Sequence, residues 1–291
     1  MQIRQSKWIY LFVLSIIWGS SFILIKKSLI GLSPLHLGAL RILISGLFIF
    51  SVGFYSLRSV KKKNWKWLII SGFLGTFFPV FLFAFAETEI DSAVASILNS
   101  LVPLNTILLG FAVFKIASTK RQILGVIIGF IGTSILIGKG AQLNPNQNYL
   151  YAGFVVLSAL MYGANVNIIK KHLQEVKAIA IATGNFAVIV IPAFIVLLFT
   201  NFFSFETFEH PDFKMSMFYV VVLSLFGTAI AKVMFNKLVQ MATPVFASSV
   251  TYLMPIVAVI WGLMDGEGFS LVQALATLFI LTGVYLANKR K

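Results

Sequence analysis

The chain has 291 residues, of which 59% are hydrophobic and only 11% are charged. A soluble domain keeps its surface hydrated with about a quarter of its residues charged, so this composition excludes a soluble globular domain and indicates a chain that faces lipid. The net charge of +14 does not indicate a nucleic-acid partner, because the basic residues form short clusters between apolar blocks and do not alternate with aromatics. The absence of cysteine excludes disulfides and thiolate metal sites.

Ten apolar blocks of about 17–25 residues follow one another, each long enough to cross a hydrocarbon core. Each is predicted to be a helix, because in lipid the backbone amides must be satisfied within their own segment. The first block continues past the polar start Met1–Lys7 without a small-residue cleavage site, so we interpret it as a retained span and not a signal peptide. The ten predicted spans of this all-α membrane fold are 8–28, 34–57, 65–86, 92–114, 122–138, 150–169, 178–200, 215–239, 244–264 and 271–287.

Proline positions predict where these helices start and where they bend. Pro34 and Pro244 fall in the first turn of a span, where a helix tolerates proline. Pro103 and Pro255 stand at equivalent depth inside the fourth and ninth spans and are candidate hinges, with a static kink as the alternative. The prolines expected to kink a span or free a carbonyl there are Pro79, Pro103, Pro192 and Pro255.

Lysine and arginine orient the predicted spans. With the N-terminus in the cytoplasm, 17 of them fall on the cytoplasmic side and four outside (Lys26, Lys27, Lys139 and Lys214), while Arg41 and Lys232 lie within spans. This bias predicts cytoplasmic N- and C-termini. The cytoplasmic run Lys61-Lys62-Lys63 is expected to contact anionic lipid.

Several residue pairs occur twice, which indicates an internal duplication. The spacing is 144 residues in the first part of each copy and 152 in the second, and the difference is absorbed where the polar link 201–214 replaces the shorter link 58–64. The repeated pairs are Trp18-Gly19 with Tyr162-Gly163, Lys26-Lys27 with Lys170-Lys171, Gly75-Thr76 with Gly227-Thr228, Ala95-Ser96 with Ala247-Ser248, and Pro103 with Pro255.

Each copy contains five spans, so the second copy enters the membrane from the opposite face. Two halves of opposite topology are typical of secondary transporters, whose substrate site lies near the midplane between the halves. The pocket is predicted to be lined by the first, third, fourth, sixth, eighth and ninth spans.

Two cations within the spans are candidates for substrate binding. Arg41 lies about seven residues into the second span, where an unpaired charge costs roughly 2.5–3.5 kcal/mol, so it should face a cavity or a partner; capping of carbonyls or snorkelling is the alternative. Lys232 lies in the middle of the eighth span and is suited to bind an anionic group or to take part in proton coupling.

Amide and aromatic side chains complete the predicted pocket. Amides bind zwitterions or hydroxylated ligands, but they also join helices by hydrogen bonds, which is the more frequent role for any one of them. Aromatic rings can form the walls of a pocket for cations or ring-bearing ligands. The candidates are Asn99, Asn165 and Asn236 among the amides and Trp18, Tyr162, Tyr252 and Trp261 among the aromatics.

The order of these elements resembles the drug/metabolite transporter superfamily, in particular the EamA-type permeases. The resemblance rests on Trp18-Gly19-Ser20-Ser21-Phe22, on Ser33-Pro34 followed by Arg41, and on the repeated Gly-Thr and proline positions. It covers two five-helix units, 8–138 and 150–287, and implies ten helices, inverted repeats, an inner-membrane location and export of metabolites or amino acids. The two units differ in that Gly266-Glu267 of the second corresponds to Phe114-Lys115 of the first, and Arg41 corresponds to Asn185.

These observations predict an alternating-access carrier for a small molecule, with export as the direction that the resemblance implies. Transport should be passive or proton-coupled, since no nucleotide-binding motif is present. No catalytic residue, cofactor or metal site is predicted, because the histidines lack ligand spacing and no nucleophile motif occurs. A channel or lipid scramblase is the alternative, and an intramembrane enzyme fits least. Glycines at 125, 129 and 132 permit close helix packing within a monomer or across a homodimer.

Overall fold

The computed structural model describes residues 2–113, 120–121, 124–125, 127–129, 131–132, 135, 148–268 and 270–288. These residues form helices joined by short links, and no strand occurs among them. The α-helices are α1 Gln2–Ser28, α2 Pro34–Gly53, α3 Trp65–Gly72, α4 Phe78–Ala86, α5 Ser92–Asn99, α6 Val102–Ala112, α7 Ala152–His172, α8 Ala178–Leu198, α9 Phe205–Glu209, α10 Phe213–Val222, α11 Ala231–Met241, α12 Pro244–Ser248, α13 Met254–Met264 and α14 Leu271–Asn288.

Eight helical segments are long and apolar enough to cross a membrane, and they coincide with the first four and the sixth to ninth predicted spans. The tenth predicted span is α14, whose apolar part Leu271–Gly283 is shorter than the others. The fifth, 122–138, lies largely outside the described residues. An all-helical membrane fold is therefore confirmed, while the count of ten and the inverted arrangement stay predictions. The eight segments are Ser6–Ser28, Pro34–Ser59, Lys62–Ala86, Ser92–Ala112, Tyr149–His172, Ala178–Leu198, Phe213–Met241 and Pro244–Met264.

The first-turn prolines mark helix starts as predicted. Pro34 is the first residue of α2 and Pro244 the first of α12. Before α2, the Ser33 hydroxyl accepts a hydrogen bond from the backbone N–H of His36 at 3.2 Å. Thr243 caps α12 in the same way. These caps satisfy N–H groups that a helix leaves unpaired at its first turn, so local sequence determines both boundaries.

The third and eighth spans each contain a π-helical stretch. The first π segment, Phe73–Phe77, lies between α3 and α4, and the second π segment, Leu223–Ile230, lies between α10 and α11. Each contains one of the two Gly-Thr pairs. A π turn is wider than an α turn, and such stretches occur frequently at functional sites.

The fourth and ninth spans are interrupted. The fourth breaks between α5 and α6, and the ninth has the 3₁₀ stretch Ser249–Tyr252 between α12 and α13. The two breaks meet, since the Ser100 hydroxyl donates to the carbonyl of Thr251 at 3.3 Å. Pro103 and Pro255 stand in the first turn after each break, where the missing N–H costs no hydrogen bond. Their role as hinges stays a prediction.

Two glycines let helices approach at backbone distance. A Cβ atom on Gly19 of α1 would lie 2.6 Å from the Cβ of Val257 on α13. A Cβ atom on Gly163 of α7 would lie 2.8 Å from the backbone nitrogen of Thr106 on α6. Small residues at such crossings permit the close van der Waals packing that joins helices in a membrane.

Candidate functional site

A cavity with about 870 Å³ of empty space, its open mouth included, lies between the two π segments. All six spans that were predicted to line it contribute, and the second span adds Arg41. Glycine and threonine of both repeated Gly-Thr pairs also face it. The structure thus brings six of the eight predicted binding residues together: Trp18, Arg41, Asn99, Tyr162, Asn165 and Lys232.

The other two predicted binding residues do not line this cavity. Asn236 is fully buried and donates from Nδ2 to the carbonyl of Ala178, at the start of α8, at 3.3 Å. Tyr252 lies in the 3₁₀ break of the ninth span and packs against the hydrophobic core. Trp261, the remaining aromatic candidate, is 40% exposed, and its Nε1 donates to the Ser20 hydroxyl at 2.9 Å. The hydrogen bonds of Asn236 and Trp261 join helices.

Aromatic rings from four spans form much of the cavity wall. The rings of Trp18 and Phe235 lie 5.0 Å apart, and those of Phe83 and Tyr162 lie 6.2 Å apart. Trp18 is also anchored through its indole Nε1, which donates to the carbonyl of Gly227 in the second π segment at 2.9 Å. Because a buried indole N–H needs a partner, this hydrogen bond fixes the ring at the wall.

Lys232 is the most deeply placed cation of the cavity. Its residue surface is only 6% exposed, and its Nζ donates to the carbonyl of Gly75 in the first π segment at 3.0 Å. No carboxylate of the described residues lies within 4 Å of that ammonium group. Lys232 therefore reaches from the eighth span to the third and keeps two of its three N–H donors available.

Arg41 reaches the same wall from α2. Its Nε donates to the Thr228 hydroxyl at 2.7 Å, and Thr228 in turn donates to the carbonyl of Leu223 at 3.3 Å. As with Lys232, no carboxylate among the described residues lies within 4 Å of the Arg41 guanidinium group. The outer nitrogens of the guanidinium group have no hydrogen-bond partner in the described part of the chain.

The two amides of the cavity differ in how well they are satisfied. Asn165 accepts from the Ser71 hydroxyl at 2.7 Å and packs directly against Gly75. Asn99 directs its Nδ2 toward the sulfur of Met254 at 3.9 Å, while its Oδ1 is buried without a partner among the described residues. A buried acceptor without a partner is costly, so Asn99 is less well satisfied than Asn165.

The sequence profile of the EamA-like transporter family matches residues 6–138 and, a second time, residues 150–289. The chain belongs to this family. The uncharacterized inner membrane transporter YedA of Escherichia coli K12 is 26% identical over 97% of this chain and 90% of its own length. The uncharacterized transporter YxxF of Bacillus subtilis is 26% identical over 86% and 80%, respectively. A solved crystal structure of a protein with 18% identity has a TM-score of 0.66 and covers 98% of this chain and 96% of that one, which shows a shared fold.

This EamA-like transporter has an ion-pair cluster at the C-terminal end of α1, which we call the Lys26 cluster: Lys26, Lys27, Asp265 and Glu267. The Lys26 ammonium lies 2.8 Å from Glu267 Oε1 and 3.1 Å from Asp265, and Lys27 also contacts Asp265. Glu267 additionally accepts from the backbone N–H groups of Ser92 and Ala93, at 3.2 and 3.3 Å. The cluster thereby joins α1, the α13–α14 link and the start of α5.

Glu87 is a buried acid that sequence reasoning missed. It follows α4 directly and is 6% exposed; its Oε2 accepts from the Ser92 hydroxyl at 3.0 Å, and its Oε1 has no partner among the described residues. Burial raises the pKa of this carboxyl well above its usual range, against the lowering effect of the Ser92 hydrogen bond. The only signal in the sequence is an acid directly after an apolar span, which ordinarily indicates a solvated loop.

Proposed function

We propose that this EamA-like transporter is a secondary carrier that moves a small metabolite across the inner membrane by alternating access. In this proposal two five-helix units, 8–138 and 150–287, have opposite topology, the chain crosses the membrane ten times, and both termini lie in the cytoplasm. Transport is passive or proton-coupled, with export as the direction. The inner-membrane location agrees with the name of the relative YedA.

The observation that supports this proposal best is a pair of reciprocal contacts between the units. Gly75 of the first unit packs against Asn165 of the second, while Gly227 of the second packs against Ser21 of the first. Ser21 and Asn165 occupy corresponding positions, as do the two glycines. A carrier whose halves exchange conformations needs such paired contacts, because the inward-open and outward-open states then resemble each other with the halves exchanged.

A counterflow experiment tests whether the protein acts as a carrier. Metabolite profiling of cells that lack or over-produce the protein supplies the candidate substrate, which is then loaded into proteoliposomes with the purified transporter. A carrier shows saturation and accelerated exchange of labelled substrate, because one site serves both directions. A channel or scramblase shows neither, and that result would overturn the proposal.

Lys232→Ala is expected to lower counterflow at least tenfold without abolishing membrane expression. The reason is that a charge-assisted contact to the bound molecule contributes about 1.5–3 kcal/mol. Lys237→Ala is the matched control, since Lys237 lies on the same helix with an exposed side chain. Equal flux in the two variants would retire Lys232 as a binding residue.

The proposed topology predicts that cysteines at positions 62 and 171 label from the same, cytoplasmic, side of the membrane. The wild-type chain has no cysteine, so Lys62→Cys and Lys171→Cys carry no background. Lys214→Cys is the control and should label only from the opposite side. The inverted arrangement is wrong if positions 62 and 171 face different sides.

A further inference from the structure

We propose that the cavity binds a small organic anion through Arg41 and Lys232, an inference that rests on the proposed carrier function and specifies its substrate class. The anionic group, a carboxylate or a phosphate, would lie between the guanidinium and the ammonium. An apolar or ring-bearing body would then contact the aromatic wall at Trp18, Phe83 and Phe235.

The two cations lie on one wall of the cavity. Arg41 donates a hydrogen bond to Thr228, and Thr228 precedes Lys232 by four residues along the eighth span. Thr228, in the second π segment, and Lys232, at the start of α11, are therefore about one helical turn apart. Because Arg41 and Lys232 line one cavity, an anion bound there is attracted by both positive charges and offsets them.

Nothing in the described cavity compensates these charges. Its lining residues include no aspartate or glutamate. The carboxylate that acts on Arg41 is that of Glu87, after the phenol of Tyr162. Glu87 lies more than 4 Å away, and burial raises its pKa, which weakens it as a counter-charge. The unused N–H groups of the guanidinium form a planar fork that matches carboxylate and phosphate oxygens.

The absence of carboxylates among the residues that line the cavity also disfavours cationic and zwitterionic substrates. A substrate ammonium group would have to enter a cavity that already holds two cations, with no lining carboxylate to receive it.

A single cysteine in the cavity tests the charge preference without knowledge of the substrate. Val80→Cys places a thiol on the cavity wall of an otherwise cysteine-free chain. The probes are two thiol reagents, sulfonatoethyl methanethiosulfonate (anionic) and trimethylammonioethyl methanethiosulfonate (cationic), applied to the purified full-length protein. Leu150→Cys, at a residue that is 85% exposed, gives the ratio of their rates away from the cavity.

We expect the anionic-to-cationic rate ratio at position 80 to exceed that at position 150 by about tenfold or more. Lys232→Gln and Arg41→Gln should each lower the ratio several-fold, whereas Lys232→Arg and Arg41→Lys should retain it. Equal ratios at the two positions, or a ratio that survives loss of both cations, would overturn the proposal. Ser248→Cys provides a second position on the wall, and failure of both reagents at both positions would contradict an accessible anion site.

The anion site and the carrier can fail separately. Counterflow of the profiled metabolite with no charge preference in the cavity overturns the anion site and leaves the carrier. A charge preference that depends on Arg41 and Lys232, with neither saturation nor counterflow, overturns the carrier and leaves an anion-binding cavity.

Discussion

Gly163→Val is expected to lower the stability of the protein by about 3 kcal/mol or more and to reduce the amount of folded transporter in the membrane. The added side chain would meet backbone atoms of Asn105 and Thr106, at 2.9 and 2.8 Å from its Cβ, and backbone cannot rotate away as a side chain can. Helices α6 and α7 would have to separate. The amide of Asn167, which donates to the carbonyls of Thr106 on α6 and Gly163 on α7 at 2.9 and 3.0 Å, would then lose its contact to Thr106.

Gly153→Val is the matched control for this prediction. Gly153 lies on the same helix, and a Cβ atom there meets nothing within 4 Å. Both variants replace glycine by valine in α7, and the cost of a β-branched residue in a helix is small, so their difference reports mainly the crossing. The measurement is the midpoint of thermal unfolding in detergent, followed by tryptophan fluorescence, together with the yield of monodisperse protein. Equal midpoints would contradict tight packing at Gly163.

Glu267→Gln is expected to open the Lys26 cluster and to increase access to the cavity from that end on the order of tenfold. The side chain of Glu267 is only 3% exposed, and its carboxylate binds Lys26 and two backbone N–H groups at the start of α5. Such buried charge-assisted hydrogen bonds contribute about 1.5–3 kcal/mol, enough to shift a two-state equilibrium tenfold or more.

The reaction rate of Ile25→Cys with a membrane-impermeant thiol reagent measures this opening, because Ile25 lines the cavity next to Lys26. Glu175→Gln is the control: the pair between Glu175 and Lys61 is 3.9 Å long and highly exposed, so its loss should change nothing. The exchange Lys26→Glu with Glu267→Lys should not restore closure, because a lysine cannot accept from the N–H groups of Ser92 and Ala93. An unchanged rate in Glu267→Gln would exclude the cluster as a closing contact.

The contribution of Asp265 to the Lys26 cluster should withstand moderate acidification. Burial alone would raise the pKa of Asp265, but hydrogen bonds and attraction from Lys27 and Lys26 outweigh it and hold that pKa below its ordinary value of 3.8. A carboxyl whose pKa is depressed in the closed state stabilises that state at higher pH and loses the contribution only as the pH falls through the depressed value. The contribution of Asp265 to closure is therefore present at neutral pH and persists to below about pH 4.

Sequence alone predicted the spans well, because hydrophobic length and first-turn residues determine them. The N-caps at Ser33 and Thr243 are local signals of this kind. The π segments were not predictable, since a wider turn depends on what packs beside it. Gly75 and Gly227 were recognised only as repeat positions, whereas in the structure their carbonyls accept from Lys232 and Trp18.

Residues of the candidate site could be predicted where the cost of burying a charge limits their position. They could not be predicted where their surroundings depend on how the helices pack. Arg41 and Lys232 could be selected because a cation within a span needs a cavity or a partner. Asn236 was a candidate for the cavity but does not line it, because at that point α11 packs against the start of α8 and the amide donates to the carbonyl of Ala178 there. Glu87 was missed because its burial arises from tertiary packing, in which the Ser92 hydroxyl at the start of α5 donates to its carboxylate.

Lys26 and Lys170 occupy corresponding positions in the two units but end on different partners. Lys26 reaches carboxylates at a partly hydrated rim, whereas Lys170 donates to three backbone carbonyls at the end of α11, the shortest at 2.8 Å to Ala242. Dissolved ions weaken attraction between partly exposed charges, while a helix cap made of carbonyl dipoles responds far less. In the proposed topology, a change in the salinity of the medium would therefore weaken the Lys26 contacts far more than the Lys170 contacts at the other end of the carrier.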